Sequence, residues 1–430
     1  MNLVKRLIQS AGARNFAKLL SANVVAQAIG LLVYPVLTRL YAPDDFGLLN
    51  LFLSIGGILS ILATAEYQYA IVLPKEQSDA VACFHVGALW LLLVSVLCGL
   101  TSLFRAQIAA LFNVPALATY YPFLCVFVFA TGLWNLLNYW YIRNSHFGRV
   151  STFQLTLSVT NSGLKCGFGV AGWLRGGLIF STSVGTLLSV IVSICYRFKR
   201  DIRPLLYFDR TRLRLMAERY RNFPLFALPK SLVNIFSSNL PVLLLTPVFG
   251  LKEMGFFGMA ITLSFTPISL ISRSLYQVLY QKTTMQVQRG ERIKPFFMRF
   301  MYLTLSVVLP SFTLLYCILP WLTQWLLGAE WYITGEYIRL LFPWLIVSML
   351  IVPLGPLTDI FMKQKWWLYF EVIMLLLRLT AIGIGIYYAN IRVAILGYSI
   401  AGAIGLAVQY PWYMKLISNY ENHINSANHA

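Results

Sequence analysis

The stretch Ala80–Phe104 reads AVACFHVGALWLLLVSVLCGLTSLF and holds no Asp, Glu, Lys or Arg. A helix needs ~20 mostly apolar residues to cross a hydrocarbon core ~30 Å thick. This stretch is long enough. Working outward from it, roughly twelve comparable stretches fill the chain from about Phe16 to about Lys415. Hydrophobic residues are 58% of the 430 and charged residues 11%, too few for the charged skin of a soluble protein of this size. The sequence therefore predicts an all-α polytopic membrane protein. Its function must be sought in the few polar groups it keeps inside the bilayer.

The expected spans of the first half are about 16–40, 46–72, 80–104, 118–142, 150–173 and 177–197. Those of the second half are about 223–249, 254–281, 296–320, 336–361, 366–389 and 392–415. Loop charges orient them. One side carries Lys75, Arg143, Arg149, the basic run Arg197–Arg221, Lys282–Arg299, Lys363, Lys365 and Lys415. The other carries Arg39, Arg105, Arg175, Lys252, Arg339 and Arg392. The imbalance is about four to one, which makes the richer side cytoplasmic and puts both termini there. Residues Met1–Ser21 read as an amphipathic strip on that surface, with Lys5, Arg6, Arg14 and Lys18 beside Leu3, Val4, Leu7 and Ile8.

The basic run divides the spans six and six. The expected organisation is an N-terminal lobe over 1–200 with its amphipathic strip, a cytoplasmic linker over 201–222, and a C-terminal lobe over 223–430. An even number of spans per half makes duplicated halves parallel repeats. Two echoes support duplication. Asp45-Phe46-Gly47-Leu48-Leu49 after span one is matched by Glu253-Met254-Gly255-Phe256-Phe257 after span seven. Arg143-Asn144-Ser145-His146-Phe147 after span four is matched by Met362-Lys363-Gln364-Lys365-Trp366 after span ten.

Several function classes drop out. The net charge of +19 suggests nucleic acid, but the Lys and Arg lie mainly in short loops, where membrane topology places them. No nucleic-acid partner is expected. There is no GxxxxGK[ST] motif, so an ATP motor would be another chain. The six cysteines form no CxxC pair, so neither a zinc site nor a disulfide framework is indicated, and His85, His146, His423 and His429 are too scattered for a metal site. No cofactor is expected, and no catalytic residue is assigned.

Polar groups inside the spans follow helical faces. Span five has Gln154, Ser158, Asn161 and Lys165, spaced to share one face. Span one has Asn23, Gln27, Gly30 and Tyr34, and span four has Thr131, Asn135 and Asn138. Span seven has Lys230, Asn234 and Ser237, and span eight has Thr262, Thr266, Ser269, Arg273 and Gln277. A lone Asn or Ser of this kind usually knits helices together, for ~0.6–2 kcal/mol. Stripes on several helices, some with a cation, read instead as the lining of a hydrated cavity. Its expected cations are Arg378, Lys165, Arg273 and Lys230, with Arg378 nearest the midplane. The intramembrane carboxylates Glu371, Asp359 and Glu66 are candidates for ion coupling, or for pairing with a cation on a neighbouring helix.

Three stretches carry a family resemblance. They are Leu40-Tyr41-Ala42-Pro43-Asp44-Asp45-Phe46-Gly47, Tyr69-Ala70-Ile71-Val72-Leu73-Pro74-Lys75, and Tyr220-Arg221-Asn222-Phe223-Pro224 continuing through Asn239-Leu240-Pro241-Val242-Leu243-Leu244. On these the chain resembles bacterial polysaccharide-biosynthesis flippases, the O-antigen and exopolysaccharide translocases of the multidrug/oligosaccharidyl-lipid/polysaccharide exporter superfamily. The resemblance implies a twelve-helix carrier of the bacterial inner membrane. Its cargo would be an undecaprenyl-diphosphate-linked oligosaccharide, moved from the cytoplasmic to the outer leaflet. Membrane lipid, a polysaccharide polymerase and a chain-length regulator are the partners it implies. The residues suit such cargo: a sugar needs hydroxyl and amide partners, and a diphosphate needs cations.

Two other readings compete. A drug/cation antiporter of the same superfamily would favour acidic cavity residues, whereas in-span cations outnumber carboxylates here. A membrane polysaccharide polymerase or glycosyltransferase would need catalytic groups on long external loops, and the outer loops here are short.

Overall fold

A computed structural model describes residues 11–195 and 202–429, with the side chains of residues 11–22 and of a few others left aside. Among the described residues the elements are helices joined by short turns. They form two compact units, Met1–Gly255 and Phe256–Ala430.

The first unit contains α1 (Ala11–Leu40), α2 (Pro43–Thr64), α3 (Gln77–Thr101), short α4 (Arg105–Leu111), α5 (Ala116–Arg143), α6 (Phe147–Val170), α7 (Leu174–Cys195) and α8 (Arg210–Arg219). It ends within α9 (Leu228–Gln288), which turns at Gly250 with φ 84° and ψ 174°. Glycine reaches that backbone conformation without a Cβ penalty. The second unit continues with α10 (Lys294–Leu327), α11 (Tyr332–Ile351), α12 (Pro356–Ile360), α13 (Gln364–Tyr387), α14 (Ile391–Ala407) and α15 (Gln409–His429).

Among the described residues ten segments are long and apolar enough to cross a membrane. One of them, Phe223–Gln288, is 66 residues long and folds at Gly250 into two spans. Helix α6 has 24 residues, enough to cross, but its polar stripe lowers its hydropathy. Counting both restores the expected twelve.

Helix α2 starts where the sequence changes character. Pro43 occupies its first turn, and Asp45 accepts a 3.0 Å hydrogen bond from the Ala42 N–H. Two glycines then let backbones cross. A Cβ on Gly47 would lie 1.9 Å from the Leu251 carbonyl oxygen, and one on Gly255 would lie 1.9 Å from that of Pro43. Pro43 and Leu251 each stand four residues before the glycine of the same helix start. The contact is therefore reciprocal, as two copies of one element about a local two-fold produce. These are the residues of the first sequence echo. Asn50 Nδ2 adds a 3.1 Å hydrogen bond to the Met254 carbonyl.

One expected boundary is corrected. Span two was expected to run to residue 72, but α2 stops at Thr64 because Ala65 and Glu66 both adopt positive φ. A 3-10 turn, Tyr67–Val72, follows. Arg143 fastens it by donating to the Pro74 carbonyl at 2.7 Å and the Ile71 carbonyl at 3.2 Å. Helix α14 breaks for one residue at Val408, inside the last apolar segment Ile391–Asn422, and α15 carries the chain onward to His429. The basic linker contains α8, capped by Asp209, which accepts from the Thr211 and Arg212 N–H groups at 2.9 and 3.1 Å. The first ten residues of the N-terminal strip lie outside the described residues.

Helix α8 docks on the start of α3. Arg212 Nη1 lies 2.9 Å from Glu76 and 3.0 Å from Asp79, and the Tyr67 hydroxyl donates to the Ala217 carbonyl at 3.2 Å. The Arg212 guanidinium, through its hydrogen bond, holds the Glu76 carboxyl below the ordinary carboxylate range. A carboxylate with a depressed folded value stabilises the docked state above ~pH 4.3 and loses that effect as pH falls through its folded value. Hydrogen exchange of α8 amides is therefore expected to accelerate below about pH 4, after correction for intrinsic rates. Arg212→Ala should abolish the acid dependence.

In the second unit Ile293, Phe297, Ile351, Leu354, Leu357, Tyr413 and Ile417 form one apolar cluster. It anchors α15 against the start of α10. Glu421 accepts from the Lys294 N–H at 2.9 Å, and the Tyr420 hydroxyl donates to the Val287 carbonyl at 3.3 Å.

Candidate functional site

Helices α1 and α6 lie side by side, with their polar stripes facing. Between them is a cleft of about 250 Å³, lined by Asn23, Gln27, Gly30 and Tyr34 from α1 and Gln154, Ser158, Asn161, Ser162 and Lys165 from α6. Each stripe forms one continuous face because it repeats with the helical period. Two long-range hydrogen bonds hold the walls. Ser158 donates to the Ala26 carbonyl at 2.7 Å, and the Tyr41 hydroxyl donates to the Lys165 carbonyl at 2.7 Å. The second bond uses the backbone of residue 165, so the ammonium stays available to the cleft.

One polar atom of this cleft, Gln27 Oε1, is buried and finds no donor among the described residues, whereas Asn161 Oδ1, also without a donor there, packs against α7, 2.0 Å from where a Cβ on Gly185 would stand. Leaving a buried polar group unmatched costs ~1–3 kcal/mol. A donor brought by a cargo, such as a sugar hydroxyl, would satisfy Gln27. Nothing lies within 4 Å of a Cβ built on Gly30, so the space beside it is open. The arrangement offers one cation with amide and hydroxyl partners, which suits an anionic group attached to a sugar.

The other expected residues fall elsewhere. Asn135 and Asn138 are half-buried on α5, and Asn138 Oδ1 also finds no donor. Lys230 and Asn234 are exposed on the first arm of α9. Glu66 is buried just after α2, accepts a 2.7 Å hydrogen bond from Gln68, and has Ser231 and Lys230 as neighbours. Gln277 is exposed on the second arm of α9, whereas the Arg273 side chain lies outside the described residues. Asp359 accepts a 2.6 Å hydrogen bond from the Tyr276 hydroxyl. Glu371 is half-buried on α13.

Arg378 has a setting that sequence reasoning missed. It is only 4% exposed, and its guanidinium carbon sits 4.8 Å from the Trp344 ring centre and 4.7 Å from that of Tyr398. The rings come from α11 and α14, so no spacing on α13 signals them. The two rings meet edge to face at 5.3 Å between centres, and the guanidinium lies in the corner they form. A cation on an aromatic face gains ~2 kcal/mol or more when desolvated. Arg378→Ala is thus expected to destabilise the protein by ~2–4 kcal/mol, from the lost stacking and the hole left behind. Arg378→Lys should recover little of it, since a point charge stacks less well. Thermal unfolding in detergent micelles would measure both.

The resemblance motifs are structural knots. Tyr41 braces α6, Asp45 caps α2, and Tyr69 stacks on Phe223 at 6.3 Å between ring centres.

Comparison with known proteins adds family and fold. The chain matches the polysaccharide biosynthesis protein family over residues 36–334, more than half its length. No curated protein matches it by sequence. Among solved structures, an inward-facing multidrug resistance MATE family transporter of the MOP superfamily is 14% identical, with a TM-score of 0.73, covering 92% of this chain and 96% of that one. The lipid II flippase MurJ, in an inward closed conformation, is 14% identical with a TM-score of 0.71, covering 94% and 89%. A MOP superfamily transporter from Pyrococcus furiosus, titled for the reverse polarity of its binding pocket, is 16% identical with a TM-score of 0.56, covering 97% and 98%. At these identities the likeness is one of fold alone: the chain shares the fold of these transporters.

Proposed function

We propose a function on one premise: the chain belongs to the polysaccharide biosynthesis protein family. It is a flippase that carries an undecaprenyl-diphosphate-linked oligosaccharide from the cytoplasmic to the outer leaflet of the bacterial inner membrane, for O-antigen, capsule or exopolysaccharide synthesis. The observation that carries this reading is the cleft of α1 and α6, where Lys165 stands at one end of a run of amides and hydroxyls. Lys165 receives the diphosphate, while Asn23, Gln27, Gln154 and Asn161 take sugar hydroxyls. The polyprenyl tail stays in the bilayer.

Transport proceeds by alternating access of two six-helix lobes, 1–200 and 223–430, joined by the linker 201–222. The reciprocal glycine contact supports duplication of the halves. Both termini are cytoplasmic. Lys230, Arg273 and Arg378 are further cations along the route, the last only if it leaves its rings. Glu66, Asp359 and Glu371 are the carboxylates at which a coupling ion would act. A polymerase and a chain-length regulator receive the cargo outside.

The fold is equally that of drug transporters, and so a drug/cation antiporter is the second reading. A lysine in the cleft disfavours cationic cargo electrostatically. In living cells, deleting the chain should trap the lipid-linked oligosaccharide in the cytoplasmic leaflet, out of reach of sugar-modifying reagents added outside. Normal surface exposure of the intermediate in the deletion strain would refute the flippase reading.

A further inference from the structure

Cys98 near the end of α3 and Cys125 on α5 bring their Sγ atoms to 3.1 Å. Both are free thiols. Among the described residues no other two cysteine sulfurs are paired in this way. The level is pinned by neighbouring contacts. Thr101, one turn later on α3, meets the hydroxyl of Tyr121, one turn earlier on α5, at 2.9 Å. Thr101 also donates to the Cys98 carbonyl at 2.8 Å. Two antiparallel helices are thus held in register with the sulfurs face to face. A covalent S–S bond is ~2.05 Å, so closing the gap asks for about 1 Å of side-chain movement.

Depth follows from the charges. Cys98 comes after Asp79, the last charge before it, by roughly 28 Å of helix at 1.5 Å per residue. Cys125 precedes Arg143 by roughly 27 Å on the same measure. Asp79 and Arg143 both lie on the side rich in Lys and Arg, and the hydrocarbon core is ~30 Å thick. Both sulfurs therefore reach the opposite boundary, the outer one in the orientation set by loop charge. The next charge on the α3 side is Arg105, just beyond. Thiols oxidise and persist as disulfides on that side of a bacterial membrane.

We propose that Cys98 and Cys125 form a disulfide at the outer membrane boundary, a covalent staple between α3 and α5. The oxidant is an extracytoplasmic protein carrying an exchangeable disulfide. Cys125 is the more exposed thiol and reacts first. Its thiolate attacks one oxidant sulfur, forming a mixed disulfide and releasing the other oxidant sulfur as thiolate. Cys98, deprotonated, then attacks Cys125 Sγ and expels the second oxidant thiolate. Two electrons pass to the oxidant, whose two sulfurs take up the two protons. Neither cysteine lines the α1–α6 cleft, and nothing here depends on the cargo. It rests on two parts of the functional reading, the orientation inferred from loop charge and the bacterial inner membrane.

The test is differential thiol labelling of native membranes from aerobically grown cells. Free thiols are blocked with light N-ethylmaleimide in denaturant at lysis. The sample is then reduced and labelled with heavy N-ethylmaleimide. Most molecules should carry heavy label at Cys98 and Cys125 and light label at Cys83, Cys166 and Cys317. In Cys98→Ser, Cys125 should become light. Light label at both positions in the wild type overturns the proposal. So does heavy label at Cys125 that persists in Cys98→Ser, since its partner would then be another thiol.

Discussion

Lys165→Ala is expected to slow transport of a polyprenyl-diphosphate oligosaccharide roughly 10- to 100-fold, because a hydrogen bond to a charged group contributes ~1.5–3 kcal/mol. The same variant should melt close to wild type. Its fold contact is the hydrogen bond from the Tyr41 hydroxyl to the backbone carbonyl of residue 165, which the substitution leaves in place. Lys165→Arg should keep most of the rate, as guanidinium also binds phosphate well. Lys165→Met, matched in length without charge, should behave like Ala. Initial rates in proteoliposomes, normalised to folded protein, decide the matter. A wild-type rate in Lys165→Met would remove the ammonium from the mechanism.

Gly47→Ala and Gly255→Ala should each destabilise the protein, against the trend for helical glycines. Replacing Gly by Ala inside a helix ordinarily gains ~1 kcal/mol. Here the new Cβ would stand 1.9 Å from a carbonyl oxygen of the facing segment. That neighbour is backbone, so no side-chain rotation relieves the clash and the crossing must open. Overpacking of this kind costs ~1–3 kcal/mol, occasionally more. Gly99→Ala is the control, with nothing within 4 Å of its Cβ, and should be neutral or stabilising. The double variant Gly47→Ala/Gly255→Ala should cost less than the sum of the two, since one opening relieves both contacts. Thermal melts of the four proteins in one detergent would show it. An increase in melting temperature for Gly47→Ala would contradict the crossing.

Much of this architecture was legible in residue order. Charge-free runs such as Ala80–Phe104 identify spans without reference to contacts. The stripes of α1 and α6 were readable too, since helical period alone puts Gln27 and Asn161 on polar faces. That those two faces meet was not readable, because period fixes a face and not its partner. Ala65 and Glu66 gave no warning of the break after α2. Residues that adopt positive φ are usually Gly, Asn or Asp, and neither is of that kind. The echo at Gly47 and Gly255 was visible as a repeat, but its reason, two backbones too close for a Cβ, needed coordinates. Arg378 shows the same limit. An arginine deep in an apolar helix reads as a cargo group, and nothing in its own helix announces the corner that Trp344 and Tyr398 make around it.

The central claim is that the chain moves an anionic lipid-linked sugar and not a cation. The most direct measurement is leaflet exchange in proteoliposomes of one fluorescent oligosaccharide, carried in turn on polyprenyl diphosphate and on neutral polyprenol, with a cationic dye as a third cargo. The account predicts that only the diphosphate form moves faster than in protein-free vesicles. It also predicts acceleration when the potential drives negative charge outward, by a force of ~2.3 kcal/mol per charge per 100 mV. Selective movement of the cationic dye, with the diphosphate-linked sugar left in its leaflet, would contradict it.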